Sequence, residues 1–153
     1  MTASVTIRGA VAADLGGVLR LLAQLSPTWS EDDVDEPVTA HAERVWAHML
    51  DQEGRTVLVA EQAERTVATL DMVIAAVLTD GTAPTAVIMN MVVDRRHRQT
   101  GIGRALMEAT ISLARNARCG TVELLSSKER VETHRFYRSL GFEAQAEGFR
   151  LHL

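Results

Sequence analysis

Between Met91 and Leu106 the chain passes from an apolar run, Met91-Val92-Val93, through Asp94 into four basic or potentially basic residues, Arg95-Arg96-His97-Arg98. Gln99-Thr100-Gly101-Ile102-Gly103 follow, and then a stretch with helical patterning. A strand that enters a helix through glycines leaves the first-turn N–H groups of that helix without internal partners, at the positive end of the helix dipole. Such a turn is an anion site, and glycine lets backbone approach a phosphate with no side chain between them. The four basic residues add field and phosphate contacts. No Gly-Lys-Ser/Thr follows, so this is not a P-loop. A dinucleotide-binding fingerprint would need a third glycine where Leu106 stands.

Other residues with chemical potential are few. Cys119 is the only cysteine, so an internal disulfide and a cysteine-based metal site are both excluded, and its apolar neighbours predict a buried small hydrophobe. Tyr137 is the only tyrosine and stands between Phe136 and Phe142. Asp71, Glu123 and His134 could act as bases, but Asp71 and Glu123 also read as solvent-facing strand residues and His134 as an exposed helix residue. Five carboxylates, Glu31, Asp32, Asp33, Asp35 and Glu36, crowd one polar segment beside Trp29.

The positioning elements follow from periodicity. Val5 to Arg8 predicts a strand, and Leu15, Val18, Leu22 and Leu25 predict a helix over 12–25. Gly16 and Gly17 weaken that helix, which makes its first turns a candidate mobile segment. Val38 to Leu50 predicts a second helix with Val38, Ala42, Val45, Trp46 and Met49 inward. Thr56 to Ala60, Val67 to Leu78 and Ala86 to Val93 predict three strands, and the short turns between them imply an antiparallel meander. Gly101 opens a helix to about Ala117, with Ile102, Ala105, Leu106, Ala109 and Leu113 as its buried stripe. Val122 to Leu125 is the next strand, Glu132 to Leu140 a helix stopped by Gly141, and Phe142 to Leu153 one or two strands. The class is α+β in the order β-α-α-β-β-β-α-β-α-β. A right-handed crossover through the Gly101 helix makes the strands at 86–93 and 122–125 parallel.

The chain has 153 residues and 46% apolar content, which suits a single domain over 1–153 with one core. A net charge of −4 argues against nucleic-acid binding. No apolar run is long enough to span a bilayer, and Met1 to Ile7 lacks the pattern of a signal peptide. A cytoplasmic protein without a membrane partner is expected.

Two motifs in order carry a family resemblance. Val92-Val93-Asp94 followed by Arg98-x-x-Gly101-x-Gly103, and then Phe136-Tyr137-Arg138-Ser139-Leu140-Gly141-Phe142, resemble the two signatures of the GNAT superfamily of acyl-CoA-dependent N-acetyltransferases. The resemblance is sharp over 86–142 and weaker before it. It implies acetyl-CoA as co-substrate and no metal. The pantetheine arm would pair with backbone at Met91, Val92 and Val93, and the pyrophosphate would lie on the N–H groups of Arg98, Gln99, Thr100, Gly101, Ile102, Gly103 and Arg104. Backbone donors near Met91 would stabilise the oxyanion of a direct attack by an amine on the thioester. The resemblance also implies that Tyr137 is the general acid for the departing thiolate; the residues alone also allow it to pack with its aromatic neighbours.

The chain departs from the family pattern twice. Met89 stands where many relatives carry a glutamate base, and Arg130 where many carry an asparagine. The expected reaction is acetylation of a primary amine on a small, cationic molecule. The alternatives are a silent acyl-CoA-binding or sensor domain and a protein or peptide N-acetyltransferase. Homodimers are common among relatives, so a homodimer is also compatible.

Overall fold

The computed structural model describes residues 4–153; residues 1–3, part of the segment read for a targeting signal, lie outside them. Two compact units divide the chain, one running to Glu123 and one from Leu124 to Leu153. The first unit is built on strands β1 (Val5–Gly9), β2 (Arg55–Gln62), β3 (Arg65–Ala75) and β4 (Thr85–Val93), joined by β5 (Thr121–Leu124) in the order β1-β2-β3-β4-β5. The first four are antiparallel in sequence, as the short turns require. β5 is parallel to β4: the Gly120 N–H donates to Pro84 O at 2.8 Å, and the Thr121 hydroxyl donates to Thr85 Oγ1 at 3.3 Å, so both strands start at the same end.

Residues 57–60 and 67–72 are buried without a break, so both faces of β2 and β3 are covered. On one face lie α1 (Leu15–Ala23) and α2 (Ala40–Asp51), where Leu15, Val18 and Trp46 pack with Val57 and Val59. Side chains alternate along a strand. Leu58 and Ala60 therefore point to the other face, where α3 (Ile102–Asn116) crosses β1 to β4.

Helix details shift from expectation. The first helix begins as a 3-10 turn, Ala12–Asp14, before α1 proper. In α2, Thr39 is the N-cap and accepts the Ala42 N–H at 3.1 Å. Val38 lies before that cap and is exposed, as is Val45; Trp46 is the buried anchor, and its Nε1–H donates to Val11 O at 3.2 Å. The buried stripe of α3 is Ile102, Leu106, Met107, Thr110 and Ala114, rotated from the expected one, and Leu113 is exposed. Cys119 is only half-buried.

The expected mobile start of α1 is instead a contact. A Cβ at Gly17 would lie 2.9 Å from Thr66 Oγ1 and 3.0 Å from Thr66 Cβ, so the missing side chain is what lets α1 sit against β3. Gly16 has nothing within 4 Å.

The second unit holds α4 (Val131–Ser139). Residues 142–153, expected as one or two strands, form none. The alternation of Phe149, Leu151 and Leu153 is real, but all three are exposed. An alternating pattern becomes a strand only where a neighbouring edge takes its backbone bonds.

The two glycines give opposite expectations. Gly16→Ala gains helix propensity without a clash and should stabilise by about 0.5–1 kcal/mol. Gly17→Ala overpacks the α1–β3 contact and should destabilise by about 1–3 kcal/mol. Urea denaturation of both variants checks this, and equal midpoints would contradict the contact.

Candidate active site

Asp94 fixes the end of β4. Its N–H donates to Val67 O at 2.9 Å, Oδ2 accepts from Arg20 Nη1 at 3.0 Å, and Oδ1 accepts the Arg96 N–H at 3.0 Å. Burial pushes its carboxyl pKa up, but the Arg96 N–H and the Arg20 guanidinium pull harder and hold it below the usual range. Arg20 also donates to Thr66 O at 2.7 Å, and Gln24, the C-cap of α1, accepts the Arg95 N–H at 3.0 Å. The aspartate thus caps a short 3-10 turn, Arg95–His97, that carries the basic run away from the sheet. The face of Trp29 covers the Arg95 guanidinium, 4.7 Å from the ring centroid.

The next residues form the expected turn. Arg98 Nε donates to Val93 O at 3.2 Å, and the Thr100 hydroxyl donates to His97 O. Gln99 and Gly101 both have left-handed backbone, φ 59° and 86°. Gly101 is the N-cap of α3, with no side chain to accept a first-turn N–H, whereas Thr39 does so for α2. The first intrahelical bond runs from the Ala105 N–H to Gly101 O at 3.0 Å. The N–H groups before it, those of Ile102, Gly103 and Arg104, belong to the turn that has no intrahelical acceptors. Ile102 anchors the helix start in the core, while Arg104 faces out toward Glu108 at 3.8 Å.

On β4, Val92 is buried, and Met91 and Val93 are half-buried. The ladder with β3 breaks here. Thr69 pairs with Val92 and Asp71 with Met89, so Asn90 and Met91 together oppose Leu70. Asn90 takes φ 53°, which asparagine tolerates better than most residues. This bulge falls where the resemblance places the pantetheine and the reacting carbonyl, and it re-aims that piece of backbone.

Asn90 also lines a narrow cavity of about 20 Å³ with Leu22, Trp46, Met49, Val57 and Asp71. Asp71 is not the solvent-facing residue expected. It is 4% exposed and accepts two bonds from Arg55, Nε to Oδ1 at 2.9 Å and Nη2 to Oδ2 at 2.8 Å. Both of its oxygens are thus occupied by one guanidinium. Met89 supplies no carboxylate in its place. Glu123 is exposed on β5, as expected.

In the second unit Tyr137 lies on α4, its ring 5.4 Å from Phe136 and 5.8 Å from Phe142. The helix ends in a Schellman cap: the Phe142 N–H donates to Tyr137 O at 3.1 Å and the Gly141 N–H to Arg138 O at 3.0 Å, with Gly141 at φ 94°. The Leu-Gly-Phe motif therefore folds Phe142 back onto the tyrosine. Burial raises the Tyr137 phenol above its ordinary pKa, and the Arg130 charge offsets this only in part, so the group stays protonated at neutral pH. His134 is half-buried rather than exposed, with Nε2 2.8 Å from Ser127 O.

Asp94 as an organiser and the Asn90 bulge are the features missed by the sequence reading. An aspartate just ahead of a basic run is a capping signal, and a lone asparagine inside an apolar strand is a bulge signal. Among the described residues no group of three or more His, Cys, Asp or Glu side chains could hold a metal, and no helix is long and apolar enough to cross a membrane.

Comparisons with known proteins bear on this geometry. The family model described as Acetyltransferase (GNAT) family matches residues 19–142. A solved putative acetyltransferase from Agrobacterium tumefaciens is 34% identical with a TM-score of 0.87, over 97% of this chain and 99% of that one. A Bacillus halodurans protein described as a transcriptional regulator is 28% identical with a TM-score of 0.90, over 98% and 100%. Glucosamine-6-phosphate N-acetyltransferase from Arabidopsis thaliana, 22% identical over 97% and 98% with a TM-score of 0.80, shares the fold. A search of curated proteins returned no match. With the Gly101 turn, the parallel β4–β5 pair and a family match over most of its length, the chain belongs to the GNAT family of acetyltransferases.

Proposed function

We propose that the protein transfers the acetyl group of acetyl-CoA to a primary amine of a small molecule. The observation that carries this reading is the start of α3: a left-handed Gly101 without a capping side chain, directly behind Arg95–Arg98 and fed by the bulged end of β4. The turn 98–104 would take the pyrophosphate on backbone N–H groups, and Met91, Val92 and Val93 the pantetheine arm. Acetyl-CoA should raise the melting temperature. At about 100 times its Kd the linkage gain is roughly 2.7 kcal/mol, on the order of 5–10 °C for a domain of this size. Gly101→Asp puts a carboxylate in the anion site and a strained backbone at φ 86°, and should abolish the shift. No shift with acetyl-CoA or coenzyme A at millimolar concentration would overturn the reading.

In the proposed reaction a neutral amine attacks the thioester carbonyl and forms the C–N bond, and an oxyanion develops that backbone donors near Met91 can stabilise. Collapse breaks the C–S bond, and the leaving thiolate takes the proton of the Tyr137 hydroxyl. The proton lost by the amine passes to water, which returns one to the Tyr137 phenolate; Met89 offers no carboxylate, and both oxygens of Asp71 are engaged by Arg55. The Tyr137 phenol is protonated at neutral pH, as the acid role that the resemblance assigns to it requires. Tyr137→Phe should keep coenzyme binding and lower turnover by about 10²–10⁴-fold where chemistry is rate-limiting. A variant that keeps half of the activity would make Tyr137 a packing residue. Coenzyme binding without turnover on any amine would favour the silent acyl-CoA-binding alternative.

The acceptor is proposed to be cationic. Glu31, Asp32, Asp33, Asp35 and Glu36 are all exposed in the segment between α1 and α2, where their charge can attract an amine from solution. Trp29, beside these carboxylates, is stacked on Arg95. Exposed pairs contribute about 0–1 kcal/mol each and are screened by salt. Neutralising the five to Asn and Gln should raise KM at low salt and leave kcat unchanged; an unchanged KM would remove the segment from recognition.

A further inference from the structure

An open pocket of about 370 Å³ lies in the first unit between the β2–β3 hairpin and the start of the basic run. Gln62, Arg65 and Val67 line it from the hairpin, and Asp94, Arg96 and His97 from the other wall. None of the turn residues 98–104 lines it.

Its charge is unbalanced. Arg8, Arg20 and Arg55 each pair with a carboxylate. The guanidinium groups of Arg65 and Arg96 have no hydrogen-bond or ion-pair partner among the described residues. Asp94 is the one carboxylate in the wall, and its two oxygens are taken by Arg20 and by the Arg96 N–H. His97 Nδ1 is buried and has no hydrogen-bond partner; Asp94 Oδ1, at 3.8 Å, is beyond reach. Two residues with unpartnered guanidinium groups therefore line one cavity whose only acid is already neutralised, and the unsatisfied ring nitrogen of His97 is buried in its wall.

We propose that this pocket binds the phosphate group of a small phosphorylated molecule, separate from the coenzyme turn. Guanidinium forks match the geometry of phosphate oxygens. The volume exceeds that of a bare anion and lies in the range of small-molecule sites, about 300–1,000 Å³. Val67 and Ala63 offer an apolar wall, and the Gln62 amide a polar one, to an attached sugar or base. The other source of such a phosphate is the 3′-phosphate of coenzyme A, and the test separates the two.

The experiment is amide NMR of the protein saturated with coenzyme A, titrated with glucose 6-phosphate and, in parallel, inorganic phosphate, then repeated with 3′-dephospho-coenzyme A. Glucose 6-phosphate should shift Ala63, Arg65, Val67 and His97 equally with either coenzyme. Arg65→Gln, on the hairpin and outside the turn, should weaken its binding by about tenfold or more. The affinity for coenzyme A should stay the same. Three results would each overturn the proposal: no shifts at millimolar ligand; unchanged affinity in Arg65→Gln; or a pocket that coenzyme A blocks and 3′-dephospho-coenzyme A leaves open, which would assign it to the coenzyme. All three leave the thermal shift with acetyl-CoA, and so the proposed function, standing.

Discussion

The Arg20–Asp94 pair is the constraint on which the first unit turns. Asp94 stands where β4 stops, and a strand end is the place where backbone loses its ladder partners and must find others. Here they come from three directions: Val67 on β3, Arg20 on α1 with Gln24 at its C-cap, and the N–H of Arg96 in the following turn. A charge this well hidden costs several kcal/mol in desolvation, and the geometry of its partners must offset that cost. Direction is what results. The chain leaves the sheet along one path, and the Gly101 turn is presented at a fixed point relative to β3 and α1.

The sequence made the glycine turn, the meander and the parallel crossover legible because each rests on local chemistry. Gly101 can be read as a left-handed cap, short polar turns as hairpins, and a strand-helix-strand order as parallel. What stayed hidden depends on partners far along the chain. Asp71 looked like a solvent-facing strand residue because nothing nearby announces Arg55. Gly17 looked like a weak point because Thr66 is distant in sequence. The 149–153 alternation looked like a strand because periodicity reports which way side chains point and not whether an edge is there to receive them. The rotation of the α3 stripe onto Met107, Thr110 and Ala114 has a similar origin: several faces of that helix are apolar enough to bury, and the sheet selects one.

The second motif also has a local mechanical basis. Leu140-Gly141-Phe142 reverses the chain through a positive-φ glycine and returns Phe142 to the ring of Tyr137. Burial raises the pKa of this phenol, so packing and protonation state are linked at Tyr137.

Trp29 lies on the flat side of the Arg95 guanidinium. A guanidinium stacked in this way keeps its N–H groups at the rim, in the plane, and gives up only the face that makes no hydrogen bonds. The aromatic ring therefore acts as a backstop: it limits the tumbling of a long side chain while leaving its donors available to an anion. It also joins two stretches with different duties, so that the acidic connection between α1 and α2 and the entry to the glycine turn share a hinge pin. Changes in that connection, which carries no phosphate-binding residue of its own, would be transmitted to the turn as looseness in one arginine.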